Sequence, residues 1–129
     1  MREEIWRWDA VRTARAVANR EISAREAVTS CVERMHAVNP SLNAITLDLS
    51  AQALAGADAV DAAIARGEKV GPLAGVSLTI KQNVDQEGCP TNNGVVGFEK
   101  IVATEDSPVV ANWKAAGGLI IGRSNCPAF

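Results

Sequence analysis

The stretch from Gly71 to Asp85, GPLAGVSLTIKQNVD, decides how this chain is to be read. A glycine-punctuated turn runs into Val76-Ser77-Leu78-Thr79-Ile80, whose β-branched and aliphatic side chains suit a buried strand. That strand delivers one lysine, Lys81, into a polar loop. In α/β proteins the end of such a strand is where chemistry is placed, because a rigid element holds its last side chains in position. Taken alone, Lys81 reads as a solvated lysine that opens a loop.

Downstream of Lys81 the backbone carries the information. Eight of the ten glycines follow position 70, with Pro72, Pro90, Pro108 and Pro127 beside them. A long polar loop is expected through about Glu105, containing Gln82, Asn83, Asp85, Thr91, Asn92 and Asn93. Ser107-Pro108 then reads as an N-cap with proline at N1, opening a helix that Gly117 closes. Leu119-Ile120-Ile121 is a second buried strand, with Gly122-Arg123-Ser124-Asn125 as the loop that leaves it. Strand, loop, helix and strand in this order predict a parallel crossover. Both strands read as interior ones that need neighbours on each side.

Upstream the chain reads as helical. Val11, Ala14, Val17 and Ala18 form a stripe between Asp9 and Asn19. Ser23-Ala24-Arg25-Glu26 has the form of a capping box and predicts a second helix with Ala27, Val28, Cys31, Val32, Met35 and Val38 on its apolar face. Asn39-Pro40 is expected to end it, since proline cannot continue the ladder. A short strand over Asn43 to Leu47 and an alanine-rich helix over Ser50 to Arg66, stopped by Gly67, complete this half. The fold class expected is α/β: N-terminal helices followed by the first strands of a mixed sheet flanked by helices.

Composition removes several functions. The chain has 129 residues, 47% of them hydrophobic, and a formal net charge of -2, with its thirteen Lys and Arg scattered. Nucleic acid is therefore not expected as a ligand. No apolar run approaches the length that spans a bilayer and the N-terminus lacks a signal-peptide core, so a cytoplasmic protein is expected. Cys31, Cys89 and Cys126 are odd in number and widely spaced, which argues against a disulfide framework and against a metal site. No glycine pattern fits a phosphate loop, and no cofactor is expected. His36 stands alone as a surface or satisfied histidine, Cys89 as a packing cysteine, and Trp6, Trp8 and Trp113 as anchors of helix packing.

GPLAGVSLTIKQN followed by ATEDSPVVANWKAAGGLIIGRSNCPAF resembles the N-terminal part of the amidase signature family, whose text runs close to GPLxGxPxxxKDN and later to a GKTNxxEF segment. Ile22 to Glu26 and Asn39 to Ala44 are similar to its opening helical segments. The resemblance implies that residues 1–129 are the N-terminal part of a single amidase signature domain, mainly helical over 1–70 and α/β over 71–129. It also implies hydrolysis of a carboxamide by a Ser-cisSer-Lys triad, with Lys81 at the lysine position. Such a base needs a packed site, because an exposed ammonium with a pKa of about 10.4 cannot accept a proton at neutral pH. The Asn92-Asn93-Gly94 turn is a substrate-cleft candidate by the same resemblance and a turn signal by itself.

Two departures accompany the resemblance. The family's Gly/Ser-rich segment, similar to GGSSGG, lies downstream of the position equivalent to Phe129, and the seven serines here form no such cluster. This chain alone is therefore expected to be inactive, and to need the downstream amidase segment or another chain, or a second copy, to complete its sheet. Gln82 stands where the family has aspartate, and Arg123 where it has lysine. The alternatives carried forward are the glutaminase subunit of a tRNA-dependent amidotransferase and a truncated, non-catalytic interaction module.

Overall fold

The computed structural model describes residues 3–129. Asp9 caps the first helix, α1 (Ala10–Ala18), by accepting from the Arg12 amide at 2.7 Å. The face α1 buries is Thr13, Ala16 and Val17. Val11, expected on that face, is 65% exposed. The second helix, α2 (Ala24–Leu42), starts with the predicted capping box: Ser23 Oγ accepts from the Glu26 amide at 3.0 Å and Glu26 accepts from the Ser23 amide at 2.9 Å. Asp61 adds a second cap from a distance, accepting from the amides of Ala24 and Arg25 at 2.7 and 3.0 Å.

α2 does not end at Pro40. It runs to Leu42 with the proline inside its last turn, and Asn43 caps it in the left-handed conformation at φ 51°. A proline this late removes one bond from a turn whose exit is secured by other means. Asn39 secures it, its side chain donating to the Ile45 carbonyl at 3.0 Å and accepting from the amides of Ala44 and Ile45 at 3.0 and 2.8 Å. The helix end and the first strand, β1 (Ile45–Asp48), are thereby one unit. α3 (Ser50–Ala65) follows and stops as expected, with Gly67 at φ 75°.

β2 (Ser77–Lys81), α4 (Pro108–Ala115) and β3 (Leu119–Ser124) form the predicted crossover, with β2 and β3 parallel. Ser107 caps α4 and proline follows it. β3 also pairs antiparallel with β1, so the sheet is mixed in the order β1-β3-β2. Only β3 is interior among the described residues; β2 lies at an edge.

β3 is longer than the sequence pattern predicts. Gly122, Arg123 and Ser124 belong to the strand and not to a loop leaving it. The glycine there serves proximity: a Cβ at Gly122 would stand 2.6 Å from Ile45 Cγ2 and 3.2 Å from the Leu47 carbonyl oxygen. Without a side chain, β1 can close against β3 at this point.

Each face of the sheet has its own core. Ile121 points to Val17, Val28, Val32, Met35, Ala53 and Ala57 on the helices. Ile120 and Ile80 point the other way, to Leu49, Cys89 and Val110. Full burial of aliphatic side chains of this size stabilises by about 1.5–3 kcal/mol each. Trp113, expected to anchor a helix, is 40% exposed on α4. Trp6 instead lies beneath two guanidinium groups, Arg7 at 4.5 Å and Arg34 at 4.4 Å from its ring centre.

Candidate active site

The two parallel strands end together. Lys81, the last residue of β2, is in register with Ser124, the last of β3. In-register neighbours share a face of the pleat, so both side chains project on the same side. Lys81 is exposed, and among the described residues its side chain has no hydrogen-bond or ion-pair partner. The dry surroundings that a lysine base requires are not supplied by these residues.

The residue after the lysine is held on three sides. Gln82 is 4% exposed, and its amide N–H donates to the Ser124 carbonyl at 2.9 Å, extending the parallel ladder by one rung. Its side-chain oxygen accepts from Thr46 Oγ1 on β1 at 2.8 Å, and its Nε2 donates to Asn125 Oδ1 at 3.2 Å. Sequence reasoning misses Thr46, because a threonine in a short strand has no local signature for this contact.

Arg123 lies behind this clamp and is 1% exposed. Its Nη1 donates to the Val84 carbonyl at 2.8 Å and to Gln86 Oε1 at 3.4 Å, and its Nη2 to the Pro90 carbonyl at 2.9 Å. Nε is buried without a partner. Burial pulls the guanidinium below its ordinary pKa, with Cys89 and Asp85 working the other way, and an arginine remains charged at neutral pH. Arg123 thus bonds side chain to backbone near the site, and does so from a strand and not from a loop. Thr46, Leu47, Gln82, Pro90, Asn92 and Arg123 enclose a cavity of about 130 Å³. A larger concavity, about 400 Å³, lies over α2 at the N-terminal segment and contains none of these residues.

Of the candidate turn, Asn92 lines the small cavity and folds into an Asx turn, its Oδ1 accepting from the Gly94 amide at 2.9 Å. Asn93 and Gly94 face elsewhere. The Asn93 carbonyl accepts from the Phe129 amide at 2.9 Å, and a Cβ at Gly94 would stand 2.7 Å from the Cys126 carbonyl oxygen. The turn is thus fastened to the segment after β3, and the cavity that Asn92 lines does not include Lys81. His36 is a surface histidine with a partner: its Nε2 pairs with Asp48 Oδ2 at 2.6 Å, and the Ser50 amide donates to the other oxygen of the same carboxylate at 2.8 Å. The three cysteines are free, and Cys89 is buried in the core against Ile80 and Ile120. Among the described residues no group of three or more His, Cys, Asp or Glu is placed to hold a metal, and no helix is long and apolar enough to cross a membrane.

The loop that carries the cavity is tied to α4 by Asp106, which accepts from the Glu87 amide at 2.8 Å and from Lys114 Nζ at 2.8 Å. The hydrogen bond from Lys114 holds the Asp106 carboxyl below the usual carboxylate range, with burial opposing and the Glu87 amide assisting. A depressed folded pKa supports the fold above the unfolded carboxylate value and is lost as pH falls through the lower one. The urea midpoint of the chain is therefore expected to fall as pH drops below the unfolded carboxylate value of about 3.9, and to fall less in Asp106→Asn. Equal slopes would show that this carboxylate makes no such contribution.

A sequence model of the family described as Amidase matches residues 26–129. Indoleacetamide hydrolase of Bradyrhizobium diazoefficiens is 49% identical over 97% of this chain and 24% of its own length. A glutamyl-tRNA(Gln) amidotransferase subunit of Acidothermus cellulolyticus is 37% identical over 98% of this chain and 25% of its own. The solved structure of a bacterial aryl acylamidase of the amidase signature family superposes with a TM-score of 0.87 at 27% identity, covering 94% of this chain and 26% of that one. The chain thus spans about a quarter of the length of the relatives it matches. The lysine-ended strand, its parallel neighbour and the match over most of the chain make this protein a member of the amidase signature family.

Proposed function

We propose that these 129 residues are the N-terminal part of one amidase signature domain, and that they contribute Lys81 as the base of a Ser-cisSer-Lys triad hydrolysing a carboxamide. The observation that carries this is the placement of Lys81 at the carboxyl end of β2, beside the parallel end of β3, in a member of this family. The serines come from sequence beyond the residues described, and the segment that bears them also covers Lys81. Removed from water, a neutral amine takes the proton of the bridging serine, which takes that of the nucleophile as it attacks the amide carbonyl. The proton now on Lys81 passes back through the bridging serine to the leaving nitrogen, ammonia or an amine departs, and water hydrolyses the acyl-serine ester to the carboxylate. The high identity to an indoleacetamide hydrolase favours indoleacetamide, or a carboxamide like it, as substrate.

The second reading, a glutaminase subunit of a tRNA-dependent amidotransferase, is favoured by the 37% identity to a glutamyl-tRNA(Gln) amidotransferase component. The two differ in substrate. Ammonia release is measured from indoleacetamide and from glutamine, with the chain alone and with the serine-bearing remainder of an amidase supplied in trans. Release from indoleacetamide only in the combined sample is the expected result. Release from glutamine alone would favour the second reading, hydrolysis by the 129 residues unaided would overturn the assignment of the serines, and no release from either would leave an interaction module.

A further inference from the structure

The donors and acceptors around Gln82 can be read in one direction only. The Cys126 amide is a donor and lies 2.9 Å from Asn125 Oδ1, while the Asn43 carbonyl is an acceptor and lies 3.4 Å from Asn125 Nδ2. These two backbone groups set the orientation of the Asn125 amide, which therefore turns its oxygen toward Gln82. An oxygen there demands a donor, so Gln82 presents Nε2 to Asn125 at 3.2 Å and its oxygen to the Thr46 hydroxyl at 2.8 Å. A carboxylate has no hydrogen to give. At this position it would set two acceptors against each other at a side chain that is itself 4% exposed, between the exposed residues Thr46 and Asn125, and the bond to Asn125 would be lost.

We propose that Gln82 is a positioning residue for Lys81, a directional amide clamp that fixes the backbone just past the lysine to β1 on one side and to the segment after β3 on the other. The inference rests on the function proposed above for Lys81. Gln82 itself touches no reacting atom. It acts by holding the β2 terminus, through its backbone bond to Ser124 and its side-chain bonds to Thr46 and Asn125. Lys81 then leaves the sheet from a defined point although its own side chain is unrestrained.

The test uses two nearly isosteric changes of opposite polarity. Gln82→Glu removes the donor and keeps the shape, whereas Asn125→Asp keeps an acceptor facing both Gln82 and the Cys126 amide and gives up only the long 3.4 Å bond to the Asn43 carbonyl, at an exposed position. Hydrogen exchange is followed at the backbone amides of Gln82 and Asn125 in the 129-residue chain. Gln82→Glu is expected to speed both at least about tenfold and Asn125→Asp less than about threefold. In the sample combined with the serine-bearing remainder, Gln82→Glu is expected to lower kcat about tenfold with KM changed less than about twofold, and Asn125→Asp to leave kcat within about threefold. Equal effects of the two variants on exchange would overturn the directional clamp. A clamp seen in exchange with kcat unchanged in Gln82→Glu would overturn the positioning role. If the unsubstituted combined sample shows no hydrolysis, the proposed function fails and the positioning role with it, while exchange still decides the clamp.

Discussion

Lys81→Ala is expected to remove amide hydrolysis from the complete enzyme, by at least about 10³-fold in kcat, while leaving the stability of the 129-residue chain within about 0.5 kcal/mol. The two halves of this expectation have separate causes. The Lys81 side chain is exposed and has no bonded partner among the described residues, so its truncation takes nothing from the fold. Its position at the joint end of two parallel strands is the reason to give it the proton transfer. Initial rates on indoleacetamide, with urea unfolding of the isolated chain alongside, measure both. Full activity in the complete Lys81→Ala enzyme would sink the assignment.

Arg123→Ala reverses the pattern, with a large effect on the fold. The guanidinium is enclosed and bonds three loop acceptors, the carbonyls of Val84 and Pro90 and the Gln86 amide oxygen. Removing it leaves those acceptors, partly to fully buried, without this donor and opens a void between β3 and the loop. A loss of about 2–4 kcal/mol is expected, a large part of the 5–15 kcal/mol that holds an ordinary domain. Arg123→Lys keeps the charge but gives up the fork that reaches separate acceptors, so its loss is smaller. Urea midpoints of the three proteins order as Arg123, Lys and Ala if the fork matters, and coincide if it does not.

Much of the fold is legible in the sequence because its signals are local. Ser23 with Glu26, Ser107 with Pro108, and Gly67 and Gly117 just past helix ends each act within a few residues, and each does what its chemistry predicts. Lys81 at a strand end is legible for the same reason. The errors arise where distant chain decides. Pro40 reads as a stop until Asn39 is seen to grip β1, and Gly122 reads as the start of a loop until Ile45 is seen to need the space. The clamp joins Thr46, Gln82 and Asn125, residues 36 and 43 positions apart, and no local pattern marks it. Asn92, Asn93 and Gly94 are recognisable as a turn, yet what that turn touches depends on Cys126 to Phe129.

The order β1-β3-β2 places the strand made last between the two made earlier. During synthesis, β1 and β2 leave the ribosome with no sheet neighbour, and neither can acquire its ladder until Leu119 to Ser124 has emerged. The capped helices can form meanwhile, since their bonds are local. Two strands must nevertheless wait with open edges until a central piece is inserted, an interval in which they are exposed to wrong partners. Assembly of this sheet is in that sense a keystone event, and slowing or weakening β3 is expected to affect the yield of folded chain more than an equal change in either neighbour.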